Sequence, residues 1–217
     1  MRKLLLSFAF VGSALMSFAQ TDAAAKKILN EVSKKYSTYH SIQSDFTLSI
    51  QDASKKTHTT NGVMYFNKPK NQYAISLPEQ EVISDGKSVW NISKDIKEVQ
   101  ISENENNSNT IGPNNLFNFY QNGYKYVLMP DEKIVRQGKT ESAKVIELSP
   151  EDTKTNYFKI KLRINKNNHI QDVTIFDKSS NRYTYTINSL YLGKKFSPQL
   201  FTFSKDKYKG YEIVDLR

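Results

Sequence analysis

The sequence contains no cysteine in 217 residues. Disulfides, thiolate metal sites and cysteine nucleophiles are thereby excluded, and the fold must be held by its core alone. Histidine is scarce as well. His40, His58 and His169 stand far apart in no metal-ligand spacing, so no metal site is expected and all three read as solvated positions. There is no glycine-rich phosphate loop, no ATP motif and no Gly-x-Ser-x-Gly nucleophile elbow. Carboxylates such as Glu79, Glu81, Asp172 and Asp177 could meet only through the fold. Neither an enzyme nor a cofactor is expected. The six prolines fall at turns or element edges, as ladder hydrogen bonding requires. The apolar run from Leu4 to Phe18 is too short and too interrupted by Ser and Gly to span a bilayer comfortably.

That run follows Arg2 and Lys3 and ends in Ser17-Phe18-Ala19, the pattern of a secretory signal peptide cleaved before Gln20. Residues 1–19 are therefore read as a signal peptide and 20–217 as a single soluble, exported domain. Removing Arg2 and Lys3 from the 31 basic residues leaves 29 against 22 acidic ones, a net charge of +7. Such a surface suits anionic membrane faces or acidic proteins as readily as nucleic acid. The lysines are scattered through strands and turns without the dense runs of a nucleic-acid arm, so no nucleic-acid partner is expected.

Asp22 can cap a helix reaching about Tyr36, with Ala25, Ile28, Leu29, Val32 and Tyr36 on one face. From Ser41 the period changes to two. Phe46, Leu48 and Ile50 alternate with polar neighbours, followed by Met64 and Phe66, by Tyr73, Ile75 and Leu77, and by Trp90 and Ile92. Asn61-Gly62, Asn67-Lys68-Pro69 and Asp85-Gly86 read as the turns between them. A polar loop from Glu103 to Asn115 leads into Leu116-Phe117-Asn118-Phe119-Tyr120, read as a brief aromatic helix. Further strands are expected at Tyr124–Met129, Lys144–Ser149, Phe158–Ile164, His169–Asp177, Arg182–Tyr191 and Leu200–Ser204, with Phe158, Ile160, Leu162 and Ile164 on one face. The expectation is a mainly β (α+β) chain: an open, curved antiparallel sheet of about ten or eleven strands, its concave apolar face covered by a helical lid.

Aromatic side chains are plentiful: 12 Phe, 13 Tyr and one Trp in a chain of only 38% hydrophobic residues and mean hydropathy −0.61. A cavity lined by such bulky groups suits flexible acyl chains better than a polar ligand. The expected lining comprises Phe46, Leu48, Ile50, Met64, Phe66, Tyr73, Ile75, Leu77, Trp90 and Ile92 from the sheet. The lid is expected to add Ile28, Leu29 and Val32 from the first helix, and Leu116, Phe119 and Tyr120 from the second.

In order along the chain stand Ser41-Ile-Gln-Ser-Asp-Phe46-Thr47, Gly62-Val-Met-Tyr-Phe-Asn-Lys-Pro69, Val82-Ile-Ser-Asp85-Gly86-Lys87-Ser-Val-Trp90 and Leu200-Phe-Thr-Phe203. Together with the N-terminal helix, this series resembles the periplasmic outer-membrane lipoprotein carrier family LolA of Gram-negative bacteria. The resemblance implies an unclosed β half-barrel with a helical lid, located in the periplasm. It also implies a monomer that takes lipoproteins, by their acyl chains, from an inner-membrane lipoprotein-releasing ABC transporter to an outer-membrane acceptor. In family members an arginine before the proline corresponding to Pro69 helps to hold the lid shut. Here the residue is Lys68, a point charge without the planar donor fork, expected to reach lid backbone carbonyls as a latch. A sensor or regulatory protein-binding module on the same sheet is the alternative from another functional class.

Overall fold

A computed structural model describes residues 22–104, 111–136 and 138–217. The expected leader over residues 1–19 lies outside the described residues. The first element, α1 (Ala23–Ser37), begins where expected: the Asp22 carboxylate accepts from the backbone N–H groups of Ala24 at 2.8 Å and Ala25 at 3.3 Å. These are donors that a helix start would otherwise leave unpaired. Its other carboxylate oxygen accepts from the Leu128 N–H at 3.1 Å, so the same residue fastens the helix to a strand. Ala25, Leu29, Val32 and Tyr36 form the buried stripe, and Lys34 and Lys35 sit in the last turn, where the helix dipole favours cations.

Twelve strands follow: β1 (Ser41–Gln51), β2 (Thr57–Asn67), β3 (Gln72–Ser76), β4 (Gln80–Ser84), β5 (Ser88–Ser93), β6 (Glu98–Glu103), β7 (Tyr124–Arg136), β8 (Lys139–Pro150), β9 (Tyr157–Ile164), β10 (Ile170–Asp177), β11 (Arg182–Leu192) and β12 (Glu212–Asp215). They make one sheet in the order β12-β6-β5-β4-β3-β2-β1-β11-β10-β9-β8-β7. All neighbours are antiparallel except β12, which lies parallel on β6. The sheet does not close: β12 and β7 are its two edges. Pro130 lies in edge strand β7, where the register shifts between Met129 and Glu132, so its missing N–H breaks no interior ladder.

Several sequence expectations are corrected at this level. Asn61-Gly62 is no turn but the middle of β2. Leu200–Ser204 is not a strand; a 3-10 helix at Pro198–Phe201 and another at Lys205–Tyr208 cross that region, and the last strand is β12. The stretch 116–120 is not an α-helix but a series of turns closing in a 3-10 helix at Phe119–Gln121. The lid therefore has one true helix. Phe158 leaves its expected face because the β9–β10 register shifts between Phe176 and Asp177; it is 52% exposed, and Tyr157 takes the buried place.

Candidate functional site

Directly opposed residues in antiparallel strands share a face, so the register identifies what lines each side of the sheet. Phe46 faces Gly62, Met64 faces Ile75, Phe66 faces Tyr73, and Ile75 faces Val82. Phe46, Met64, Tyr73 and Ile75 form one core with Leu29 and Val32 of α1 and with Leu116, Phe117 and Tyr120 of the connecting segment; Ile28, Leu48, Phe66, Leu77, Val82 and Phe119 pack against it half-buried. Ile50 shares the face by register opposite Tyr183 and is half-buried. Fourteen of the sixteen residues expected to line the apolar interior thus meet on one face or in its cover.

Trp90 and Ile92 are the exceptions. In the β4–β5 hairpin Ser84 opposes Val89, so Val89 points inward and its neighbour Trp90 outward, opposite Ile83. Alternation then carries Ile92 outward too. Both belong to a second, smaller core on the outer face with Ile83, Val99, Ile101 and Tyr208. There Trp90 stacks on Phe203 at 5.6 Å, and Phe203 stacks on Tyr208 at 5.4 Å. Glu81 fixes the same C-terminal segment, accepting from Lys207 Nζ at 2.8 Å and Tyr208 Oη at 2.6 Å and pairing with Lys94 at 2.9 Å. Desolvation would raise its carboxyl pKa, but these donors outweigh it and hold the group at about 2. Lys94 sits in the β5–β6 turn, outside the sequence reading of this site.

Gly62 explains how Phe46 fits. A Cβ at position 62 would lie 2.7 Å from Phe46 Cζ and 2.7 Å from Leu77 Cδ2, so the ring occupies the space that any other residue would fill. The N-G spacing that suggests a turn instead marks the close approach of a ring to a strand backbone.

The cover is tied down at one end. Tyr36 stacks on Phe117 at 4.8 Å, and Phe117 meets Phe66 edge-on at 5.7 Å. The Ile170 N–H donates to Tyr36 Oη at 3.2 Å, and burial pushes that phenol well above its ordinary pKa. Gln121 Nε2 donates to Ser33 Oγ at 2.7 Å, joining the connecting segment to α1. Lys68 reaches from the 3-10 turn at Lys68–Lys70 and donates through Nζ to the Tyr36 carbonyl at 2.7 Å. Lys68 therefore does reach a cover carbonyl, and desolvation lowers the pKa of its ammonium. A cavity of about 180 Å³ remains beside this contact, lined by Tyr36, Ile42, Phe66, Lys68 and Phe117 among others. That is below the about 300–1,000 Å³ of ordinary ligand sites. The cover's own side chains fill most of the concave face.

His169 is not simply solvated: its Nε2 lies 2.8 Å from Tyr39 Oη, and burial together with Lys35 lowers its pKa. The carboxylates Asp172 and Asp177 are engaged separately, by Arg163 at 2.8 Å and by Asn181 at 2.8 Å, and neither meets Glu81. The described residues bring no group of three or more His, Cys, Asp or Glu together at a metal-binding spacing. Tyr120 Oη is buried without a partner among the described residues.

The family model described as "Outer membrane lipoprotein carrier protein LolA" matches residues 37–204. Among solved structures, an uncharacterized conserved protein from Thermus thermophilus superposes with a TM-score of 0.55 at 12% identity, covering 88% of this chain and 99% of that one. A LolA superfamily protein from Nitrosomonas europaea gives a TM-score of 0.46 at 14% identity over 82% of this chain and 97% of that one. An outer membrane lipoprotein-sorting protein domain from Vibrio parahaemolyticus, described as putative, gives 0.47 at 11% identity over 86% and 98%. No curated protein matches.

Proposed function

Because the chain belongs to the outer membrane lipoprotein carrier family LolA, we propose that it is a periplasmic carrier whose concave face takes up the acyl chains of lipoproteins. The observation that carries this reading is the plug: the apolar face of an unclosed sheet is filled by Leu29, Val32, Leu116, Phe117 and Tyr120 of the chain's own cover, which Lys68 pins at one edge. When the cover swings aside, hydrocarbon replaces those side chains on Phe46, Met64, Phe66, Tyr73 and Ile75. Burying about ten methylenes at ~0.8 kcal/mol each yields roughly 8 kcal/mol, enough for a stable soluble complex. The same figure makes release into water negligible, so the chains must pass directly to an acceptor. A cover that prefers to close on the empty groove lowers net affinity, because opening it opposes binding. In this reading an inner-membrane lipoprotein-releasing ABC transporter loads the monomer, and an outer-membrane acceptor receives the cargo.

The test is to purify the protein from its own periplasm without detergent and analyse what accompanies it by mass spectrometry. Recovery of diacylated or triacylated lipoprotein at stoichiometric level is the expected result. A folded partner domain carrying no lipid would instead make the chain a protein-binding sensor module and overturn the carrier reading.

A further inference from the structure

The strand pairing places the turns of the sheet at two opposite ends, and their charges differ. One end holds the connections 38–40, 68–71, 85–87, 165–169 and 193–197, because Ser41 pairs with Asn67, Asn67 with Gln72, Tyr73 with Ser84, Ile42 with Leu192 and Ile170 with Ile164. Contacts between the turns confirm that they adjoin: Lys68 N–H donates to the His40 carbonyl at 3.0 Å, and Ser41 Oγ to the Lys194 carbonyl at 2.7 Å. These five connections carry six lysines and a single acid, Asp85. Lys34 and Lys35 in the last turn of α1 add to the same end. The opposite end holds 52–56, 77–79, 94–97, 151–156 and 178–181, with six lysines against five acids. Among these connections the net charge is thus concentrated at one pole; at its rim Glu103, opposite Ser88, ends β6, and Asp215 and Arg217 at the end of β12 pair with each other.

That pole is built for an extended anionic field. Lys70, Lys166, Lys194 and Lys195 are exposed, and none is in an ion pair among the described residues, whereas Lys94 and Lys207 on the outer face near the opposite end both pair with Glu81. The turns supply lysine only, a hydrated point charge, and not the arginine fork that recognises a single carboxylate or phosphate. The charges are spread over separate turns instead of converging on one spot. Tyr191, 41% exposed, lies beneath Lys194 Nζ at 4.3 Å, an amphipathic ring of the type that settles at headgroup level. The cavity between Tyr36, Lys68 and Phe117, where the cover meets the sheet, lies at this same end.

We propose that this lysine pole docks the protein directly on a bilayer rich in anionic phospholipid, so that the latched edge of the groove faces the membrane. The inference rests on the carrier reading for its purpose, but the docking is measured separately from cargo. Anionic headgroups attract lysines roughly additively near the surface, and the attraction decays within about a Debye length, ~8 Å at physiological salt. Orientation follows from the asymmetry: over these connections one end carries a net +5 and the other a net +1, so the lysine end gains far more by approaching.

The experiment is co-flotation of the full chain with vesicles of phosphatidylglycerol and phosphatidylcholine, against phosphatidylcholine alone. Two triple variants carry the same net charge: Lys166→Glu, Lys194→Glu, Lys195→Glu at the lysine pole, and Lys56→Glu, Lys154→Glu, Lys178→Glu at the balanced end. The native chain should bind the anionic vesicles and release them as salt rises. The pole variant should bind roughly a hundredfold more weakly, and the balanced-end variant within about threefold of native. Equal loss in both variants, or binding unaffected by lipid charge, overturns the proposal. So does a native chain that ignores anionic vesicles, including one that instead binds an acidic protein through the same lysines. Capture of a diacylated lipopeptide in vesicle-free solution is measured in parallel. A chain that floats but captures nothing retains the docking surface and loses the carrier reading; the reverse result retains the carrier and loses the docking.

Discussion

Lys68 and Tyr36 meet where the helix ends: the lysine Nζ donates to the tyrosine carbonyl at 2.7 Å, joining the start of the β2–β3 connection to the last turn of α1. The Tyr39 N–H also donates to that carbonyl, at 3.2 Å, so the lysine adds a second, charged donor at the C-terminal end of the helix, where the dipole favours a cation.

Replacing the lysine should release that end of the cover. A hydrogen bond to a charged group is worth about 1.5–3 kcal/mol, and partial solvent exposure reduces this to about 1 kcal/mol. Lys68→Met is expected to melt about 2–4 °C lower. It is also expected to hold an acyl probe up to about fivefold more tightly, since less closing energy opposes binding. Lys68→Arg, with several donors, should match the native chain in both. Titration of a fluorescent fatty acyl probe, alongside thermal melts, reads both quantities. Unchanged affinity in a destabilised Lys68→Met protein would show that the contact is structural only.

Much of this arrangement is legible from spacing. The 3.6-residue period marks α1 and its buried stripe, and the period of two places Phe46, Leu48, Met64, Phe66, Tyr73, Ile75 and Leu77 on a common face. What spacing cannot supply is whatever depends on partners distant in sequence. Trp90 alternates as cleanly as Phe46, but parity within one strand does not say which face is inner; the Ser84–Val89 pairing decides it. Apolar residues on both faces of β5 become acceptable only because Phe203 and Tyr208 return to cover the outer one. Phe158 is turned outward by a register shift, which leaves no periodic signal. Asn-Gly at positions 61–62 is a hairpin signature when viewed locally, whereas here the glycine serves a ring from the neighbouring strand.

That glycine supports a second prediction. A methyl group at position 62 would clash with Phe46 Cζ and Leu77 Cδ2, each 2.7 Å away. Both are ends of side chains, so they can yield, at the expense of their packing. Gly62→Ala should destabilise by about 1–3 kcal/mol, as overpacking of a filled core does. Shortening the ring should recover part of the loss: the double variant Gly62→Ala, Phe46→Leu is expected to be more stable than the two single effects predict when added. Strict additivity in chemical denaturation would show that the ring and the glycine are not coupled.

Glu81 makes the outer core sensitive to acid. Desolvation favours its neutral form, yet the donors from Lys207, Tyr208 and Lys94 prevail and hold the folded pKa at about 2, below the ordinary glutamate value of about 4.3. A folded pKa below the unfolded one means stability that is complete above about pH 4.3 and is lost as pH falls toward 2. Glu81→Gln lacks this dependence. Urea unfolding at pH 7 should show the variant less stable than native, and the gap should narrow by pH 3. A gap of constant size across that range would remove the carboxylate as its cause.

Trp90 should report on the outer face and be silent about the groove. It is the sole tryptophan in the sequence, and its ring lies parallel to Phe203 at 5.6 Å with an interplanar angle of 8°. Phe46, buried on the opposite face, touches the groove instead. Emission from Trp90 is therefore expected to stay within a few nanometres when an acyl probe binds, and to shift to the red in Phe203→Ala, which uncovers the indole. The paired substitutions should separate function from stability in the same way. Trp90→Ala loses the stack and part of the outer core but should keep acyl binding. Phe46→Ala opens a void in the groove wall, destabilises by about 3–5 kcal/mol and should weaken the probe while leaving Trp90 emission in the folded protein unchanged. Stability and binding are measured on the same samples, by denaturant titration and probe fluorescence, so a protein that fails to fold is recognised as such. If acyl binding moved Trp90 emission as far as Phe203→Ala does, the ligand would be acting on the outer face, and the concave face would no longer be its site.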